Sequence, residues 1–381
     1  MKKILALFLT LCLLFMLSAC GGAASNSEGG NLANYEGGEI DFNKDDLPTF
    51  KIAFGYGQWE SVLGSEFKAS IEYLCEAFNC EPIFFNSGRG EEAVAAVESL
   101  LAAGDIDGII SANWDTARMV VADKYGVPVI TACQAPSGQE AESVAAYDLY
   151  LGGVTDSEVW AGYQAMKSLY DAGCRNVTYS GLTPGYAKGH DDRTAGAMQF
   201  IAEHPDMNLL TESYTTALWD EDVPTFVASF PEMDGMCFTA LNDAVYNAME
   251  TEGIADGSVK VAGPDVSSMT GNYFQAGVQV WTCGGQYATA MIAWAILYNY
   301  LIDGTVIISD SLTPLERNYL EIGSYEEFQH YQEFVNSPQP VYSAQEIAEL
   351  IHFFNPEVTI NDYIALGEQY TLEDIIARRG N

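Results

Sequence analysis

The sequence predicts an α/β protein of two doubly wound parallel-sheet lobes, followed by a helical C-terminal extension. Three observations predict it. From Phe50 onward, apolar runs alternate with amphipathic stretches, the order expected of repeated βαβ units. The apolar runs are continuous rather than alternating with polar residues, so their strands are covered on both faces, as in a parallel sheet. The rhythm then restarts once, after a boundary near Gly152-Gly153-Val154-Thr155-Asp156.

The elements follow in order. Phe50 to Phe54 reads as a strand, and Phe67, Ile71, Leu74 and Phe78 then recur at helical spacing. Pro82 to Phe85 is the second strand, and Val94, Val97 and Leu101 mark the next helix. Ile106 to Ile110 is the third strand, a helix spans about Ala117 to Lys124, and Gly126 to Ile130 supplies a fourth strand. Past the boundary, a helix from about Glu158 to Asp171 leads to a strand at Asn176 to Ser180. A helix near Thr194 to Glu203 precedes strands at Leu209 to Tyr214, Met236 to Thr239 and Val259 to Gly263, with helices between.

Residues 266–302 carry no charged side chain. Gly277, Gly284 and Gly285 interrupt the stretch, leaving Tyr287 to Ile302, which is short of a comfortable membrane span. A buried helix is the better reading. The tail from about Ser309 is polar and helical, with a cap pattern at Ser343 and Glu346, and suggests no chemistry.

The amino terminus reads as an export signal rather than as fold. Lys2 and Lys3 precede an apolar run from Ile4 to Leu17, and then Leu17-Ser18-Ala19-Cys20. Residues 21–46 are rich in Gly, Ser, Asn and acids, a composition suited to a flexible tether. Asp41 to Asp46 superficially suggests a calcium loop, but Asp46 stands where Gly is required and Ile52 where a bidentate Glu is required. The net charge of −37 argues against nucleic acid and anionic lipid surfaces as partners. Cys75, Cys80, Cys133, Cys174, Cys237 and Cys283 show no zinc spacing, and Cys75 with Cys80 is open to a disulfide or to two thiols. No metal ligand set or cofactor motif is read. His190, His204, His330 and His352 form no HExxH pair, and neither GxSxG nor GxxxxGK[ST] occurs, so catalysis is not expected.

Several marks in order resemble one family. They are Gly55-Tyr56-Gly57-Gln58-Trp59, Ser111-Ala112-Asn113-Trp114-Asp115, Gly126-Val127-Pro128-Val129-Ile130, Asp191-Asp192-Arg193-Thr194-Ala195-Gly196, Phe238-Thr239-Ala240-Leu241-Asn242-Asp243 and Val261-Ala262-Gly263-Pro264-Asp265. Over roughly residues 48–310 the chain resembles the type I periplasmic binding proteins of the ribose and galactose group. Leu17-Ser18-Ala19-Cys20 likewise resembles a bacterial lipobox, which implies lipidation of Cys20. The start of the fold lacks the family's Asn-Pro-Phe, and Pro264 stands where an aromatic is usual.

The resemblance implies lobes joined by a hinge, crossed three times by the chain, that close on a ligand between them. It divides the chain into a signal (1–20), a tether (21–47), a first lobe (48–154 plus about 285–305), a second lobe (155–284), and a crossover strand with extension (306–381). It also implies polar ligand contacts at Asp115, Asp156, Arg193, Asn242 and Asp265. Asp156, Asp243 and Asp265 equally suit helix caps, and Arg193 suits an ion pair with Asp191 or Asp192. Trp59, Trp114, Trp219 and Trp281 fall at strand-end loops, where an aromatic can stack on the apolar face of a sugar ring, and Trp219 matches the family's second-lobe aromatic. Trp160 and Trp294 fall on helices and are assigned to packing. Gln58 and, more weakly, Gln286 complete the candidates.

The implied protein is a monomeric, lipid-anchored receptor at the outer face of the bacterial cytoplasmic membrane. It would carry a small polar ligand, a monosaccharide first, to an ABC permease. A sensory receptor of the same fold, or a binder of a nucleoside, autoinducer or amino acid, remains open. The lipobox, with no basic headpiece, argues against a DNA-binding regulator.

Overall fold

A computed structural model describes residues 42–87, 91–112 and 116–379. The lipobox with Cys20, most of the tether, Trp114 and Asp115 lie outside the described residues.

The first lobe contains β1 (Phe50–Tyr56), β2 (Cys80–Asn86), β3 (Gly108–Ser111), β4 (Val129–Ala132) and β5 (Tyr150–Asp156), covered by α1 (Val62–Ala77), α2 (Glu91–Ala102), α3 (Thr116–Tyr125) and α4 (Gln139–Val144). The second contains β6 (Asn176–Leu182), β7 (Asn208–Thr215), β8 (Gly235–Phe238), β9 (Lys260–Ala262) and β10 (Gln279–Gly284), with α5 (Glu158–Asp171), α6 (Lys188–Glu203), α7 (Asp222–Ser229), α8 (Asp243–Thr251) and α9 (Thr270–Gln275). Next, α10 (Tyr287–Asp303) packs on α1 and on β3 to β5. Finally, β11 (Leu315–Arg317) joins the first sheet parallel to β5, and β12 (Leu320–Ile322) joins the second antiparallel to β10.

The strand orders are β2-β1-β3-β4-β5-β11 and β7-β6-β8-β9-β10-β12. Both are the doubly wound order, with a switch point beside β1 in one sheet and beside β6 in the other. The predicted fold class is therefore observed.

Local sequence explains the elements. Ile52, Ala53 and Phe54 are all fully buried, because β1 is central and covered on both faces. Helix α1 starts at Ser61, whose hydroxyl accepts from the Gly64 amide at 3.0 Å, and buries Phe67, Ile71 and Leu74. Residues Tyr287 to Asn299 of α10 are buried on every side, which accounts for the charge-free stretch. Among the described residues no helix is long and apolar enough to cross a membrane. The capping box at Ser343 and Glu346 is present.

Four strands are not located by periodicity, although the resemblance implies a crossover strand somewhere past residue 306. Gly152-Gly153 suggested a boundary but lies inside β5: a Cβ on Gly153 would come within 2.6 Å of Thr131 Oγ1. The glycine pair serves close packing there, not a loop. The glycines around β10 read as interruptions of one stretch, whereas they separate α9, β10 and α10. At three residues each, β11 and β12 are too short for periodicity to register.

The chain passes between the sheets at Asp156–Glu158, at Gly284–Tyr287 and at Arg317–Leu320. The tail is folded against these passages through α11 (Tyr325–His330), a π-turn at Tyr331–Val335, α12 (Ala344–Glu349), α13 (Ile360–Glu368) and α14 (Leu372–Arg379). The Tyr331 hydroxyl accepts from the Gly285 amide, and the Tyr370 hydroxyl donates to the Gly285 carbonyl, each at 3.0 Å. Gly285 has φ +81°, and a Cβ on it would come within 2.5 Å of the Tyr370 hydroxyl. Asn318 donates to the carbonyls of Gly367 at 3.1 Å and Glu368 at 2.8 Å.

Candidate functional site: the cleft between the lobes

The residues just past the carboxyl ends of strands in both sheets line one cleft of about 630 Å³. Tyr56 ends β1 and Gly57 and Gln58 follow it, Ala112 follows β3, and Cys133 and Gln134 follow β4. From the second sheet come Tyr186, His190 and Arg193 after β6, Trp219 after β7, Asn242 after β8 and Asp265 after β9. Asp156, Glu158, Gln286 and Tyr319 arrive on the passages between the sheets. Open α/β sheets hold ligands at this end because strand carboxyl termini and switch-point loops diverge there.

The floor of the cleft is a buried charged network. Arg193 donates from Nε and Nη2 to Glu158, from Nη1 to the Thr239 carbonyl at 2.8 Å, and from Nη2 to the Tyr319 hydroxyl at 2.7 Å. Its Nη1 also lies 3.6 Å from Asp265 Oδ2. The Tyr319 hydroxyl in turn donates to Glu158 at 2.9 Å. A second guanidinium lies behind the first. Arg317 Nε donates to Asp156 Oδ1 at 3.2 Å, Nη2 donates to the Gly285 carbonyl at 3.2 Å, and the group stacks 3.9 Å from the Tyr370 ring.

Burial dominates the titration of these acids. It pushes Asp156 up to about 8 against the opposing pull of Arg317, and it raises Glu158 against Arg193. Burial also pushes Tyr56, at the cleft edge, up to about 12.

Two cleft positions depend on unusual backbone or capping. Asp265 adopts φ +79°, a left-handed conformation that short polar side chains tolerate, and its Oδ1 accepts from Gln286 Nε2. Asn242 lines the cleft and caps α8, its Oδ1 accepting from the Val245 amide at 3.0 Å. Trp219 is buried on a short 3₁₀ turn, with its ring plane 19° from that of His190 at 5.9 Å. Its Nε1 has no hydrogen-bond partner among the described residues.

No family model and no curated protein matches the sequence. Solved structures do match in fold. A periplasmic solute-binding protein of an ABC transporter from Actinobacillus succinogenes, with bound D-allose, aligns at TM-score 0.62 and 20% identity over 74% of this chain and 100% of its own. A solute-binding protein from Agrobacterium vitis, bound with α-D-tagatopyranose, aligns at 0.62 and 19% over 73% and 95%. The fold is that of the type I periplasmic binding proteins. A transcription regulator from Lactococcus lactis also aligns, at 0.57 and 13% over 73% and 100%. The periplasmic-binding-protein fold is thus fixed by the likeness, and the activity must be argued from the cleft.

Within this type I fold, Gln58, Asp156, Arg193, Trp219, Asn242 and Asp265 are brought together at the cleft. Two expected stacking residues are not. Trp59 packs among Phe54, Tyr56 and Phe84, and its Nε1 donates to the Phe85 carbonyl at 3.1 Å. Trp281 is a core residue of the second lobe, edge-on to Trp160, with Nε1 donating to Glu321 at 2.9 Å. Trp59 sits just past β1 yet folds back into packing, and Trp281 lies inside β10, a strand that the sequence reading does not place, rather than in a loop. Trp160 and Trp294 do pack, as assigned. Trp114 and Asp115 lie outside the described residues.

The alternative capping roles are also resolved. Asn242, not Asp243, caps α8; Asp156 pairs with Arg317; and Arg193 pairs with Glu158 rather than with Asp191 or Asp192. Glu158 and Tyr319 were missed. Glu158 opens a helix, where an acid is explained by the dipole alone, and Tyr319 lies in a tail that carried no motif.

Proposed function

We propose that this chain is an extracytoplasmic solute-binding protein, not an enzyme, that captures one small polar ligand between its lobes. A monosaccharide or a polyol of similar size is the ligand class. The observation that supports this most is the cleft's lining: amide and carboxylate groups of Asn242, Asp265, Gln286 and Gln58 are grouped with the Trp219 ring. Planar groups that accept and donate in pairs suit vicinal hydroxyls, and an indole suits the apolar face of a sugar ring. A cleft of about 630 Å³ is in the range of small-molecule sites and has room for such a ligand with water. The solved neighbours with bound allose and tagatopyranose, and one from Bacillus halodurans with bound myo-inositol, support the same class.

The finer reading adds a diacylated Cys20 at the membrane and delivery of the ligand, by a monomer, to an ABC permease. The lipobox-like Leu17-Ser18-Ala19-Cys20 supports the anchor, and the ABC transporter neighbours support the delivery.

A thermal-shift panel on residues 21–381, with monosaccharides, inositols, nucleosides and amino acids, tests the class. A ligand at about 100 times its Kd adds ~2.7 kcal/mol, a shift of several degrees. A shift with one saccharide family supports the reading. Shifts confined to nucleosides or amino acids replace the ligand class.

A further inference from the structure

Helix α1 ends in a turn that brings the chain back on itself. The Phe78 amide donates to the Leu74 carbonyl at 3.0 Å, and Asn79 then adopts φ +56°, the left-handed conformation that closes many helices. Asn79 is held there by its own side chain, whose Nδ2 donates to the Leu47 carbonyl at 2.8 Å and to Thr49 Oγ1 at 3.0 Å. Cys80 follows and opens β2 opposite Phe50. At a helix end of this kind, the second residue past the cap lies against the third residue from the end of the helix. With Phe78 as the cap, those two residues are Cys80 and Cys75, and the Cys80 thiol meets the Cys75 side chain.

The other cysteines are engaged elsewhere. Cys237 on β8 and Cys283 on β10 are separated by β9, a spacing of about 10 Å that a disulfide does not span. Cys174 Sγ donates to the Asp234 carbonyl at 3.2 Å, and Cys133 Sγ lies 2.9 Å from Thr289 Oγ1. At the α1 turn, nothing stabilises a thiolate. Cys75 is 1% exposed and sits in the last turn of α1, where the helix carbonyls oppose negative charge. The neighbouring Cys75 side chain first, and burial second, raise the Cys80 thiol above its usual range. Catalytic and redox-sensing pairs depend on a stabilised thiolate, whereas a pair without one makes a structural bond that resists reduction.

Resting on the export reading above, we propose that Cys75 and Cys80 close an intramolecular disulfide across the turn between α1 and β2 once the chain is outside the cytoplasm. Both are thiols in this structure. The two sulfurs bond to each other and give up two protons and two electrons, which the disulfide of an exported thiol–disulfide oxidoreductase takes up as it becomes a dithiol. The bridged loop contains Phe78. Its ring stacks on Phe42 at 5.0 Å, packs against Trp294 at 5.0 Å and Tyr298 at 5.5 Å, and meets Phe354 at 6.0 Å. Phe42 belongs to the end of the tether and Phe354 to the tail. The bond therefore fixes the turn at which tether and tail are both held to the first lobe.

The test is peptide mapping of the full chain, expressed with its own signal, isolated without reductant, and alkylated with iodoacetamide after unfolding. The peptide that holds Cys75 and Cys80 is expected unlabelled and lighter by two hydrogen atoms than its dithiol form, with Cys133, Cys174, Cys237 and Cys283 labelled. Reductant should lower the thermal midpoint by a few degrees, and the double variant Cys75→Ala, Cys80→Ala should show the lower midpoint with and without reductant. Labelling of Cys75 and Cys80 in chain recovered outside the cytoplasm overturns the disulfide and leaves the export reading standing. Chain recovered only in the cytoplasm overturns the export reading. Refolding of the purified chain in mixed reduced and oxidised glutathione then decides the pair by itself: the bridged peptide supports it, and labelling of both thiols overturns it.

Discussion

A methyl group on the α-carbon of Gly162 would come within 1.8 Å of the carbonyl oxygen of Arg193. Its counterpart on Gly196 would come within 1.9 Å of the Val159 carbonyl oxygen. Helices α5 and α6 thus meet backbone to backbone, and this close crossing brings the Arg193 guanidinium to the Glu158 carboxylate at the start of α5. Gly162→Ala and Gly196→Ala should each destabilise the fold by ~1–3 kcal/mol or more, since overpacking forces the helices apart. Urea unfolding checks the cost. A saccharide titration should show weaker binding as well, because Arg193 and its partner at the cleft shift together.

Removing the guanidinium should matter through what it leaves behind. Arg193→Met strands the Glu158 carboxylate in a buried site, a loss of about 3–5 kcal/mol. Adding Glu158→Gln to that variant should recover part of the loss. A double variant no more stable than the single would contradict this account of the pair.

The pH dependence follows from burial. Asp156 is held at about 8 in the fold, and unfolded it titrates near the usual value of about 3.9. The folded chain binds this proton more tightly, so the group's contribution is fully present below about pH 4 and is lost as pH rises through about 8. Burial shifts Glu158 in the same direction, and burial also lifts Glu66 to about 8. Glu66 keeps part of its surface in contact with solvent and so contributes less than Asp156. Asp206, held down by the Tyr170 hydroxyl, works the other way only in acid. Urea midpoints should therefore be higher near pH 5.5 than near pH 8.5, and Asp156→Asn should flatten the slope. A midpoint that rises over this range would contradict the assignment.

Much of this was legible in the sequence because it is written in continuous apolar runs. Strands β1 and β6 carry such runs, and the helix expected from about Glu158 to Asp171 is α5. Strand β5 was not legible, because Gly152 and Gly153 serve tight packing with the composition of a linker. At the cleft, Arg193, Asn242 and Asp265 stood out through the ordered motifs that resemble one family, not through their local position. Tryptophan was harder to read. An indole past a strand end can line the cleft, as Trp219 does, or fold back into the lobe, as Trp59 does, while Trp281 lies within β10 and packs in the core. Glu158 and Tyr319 were illegible because their role comes from the meeting of separate chain passages, at positions 161 residues apart.

The proposed membrane attachment rests on one residue, Cys20. Cys20→Ala should abolish lipid labelling and release the chain from the membrane fraction, with sugar binding unchanged in the purified protein. Persistent membrane association of that variant would reject the anchor.

The most direct test of the central claim is calorimetric titration of the purified wild-type protein with the saccharide that gives the largest thermal shift. The account predicts one site per chain, with binding weakened at least about tenfold by Trp219→Ala and by Asn242→Ala in proteins that remain folded. Saccharide binding that both variants leave intact would place the site elsewhere and contradict the cleft assignment.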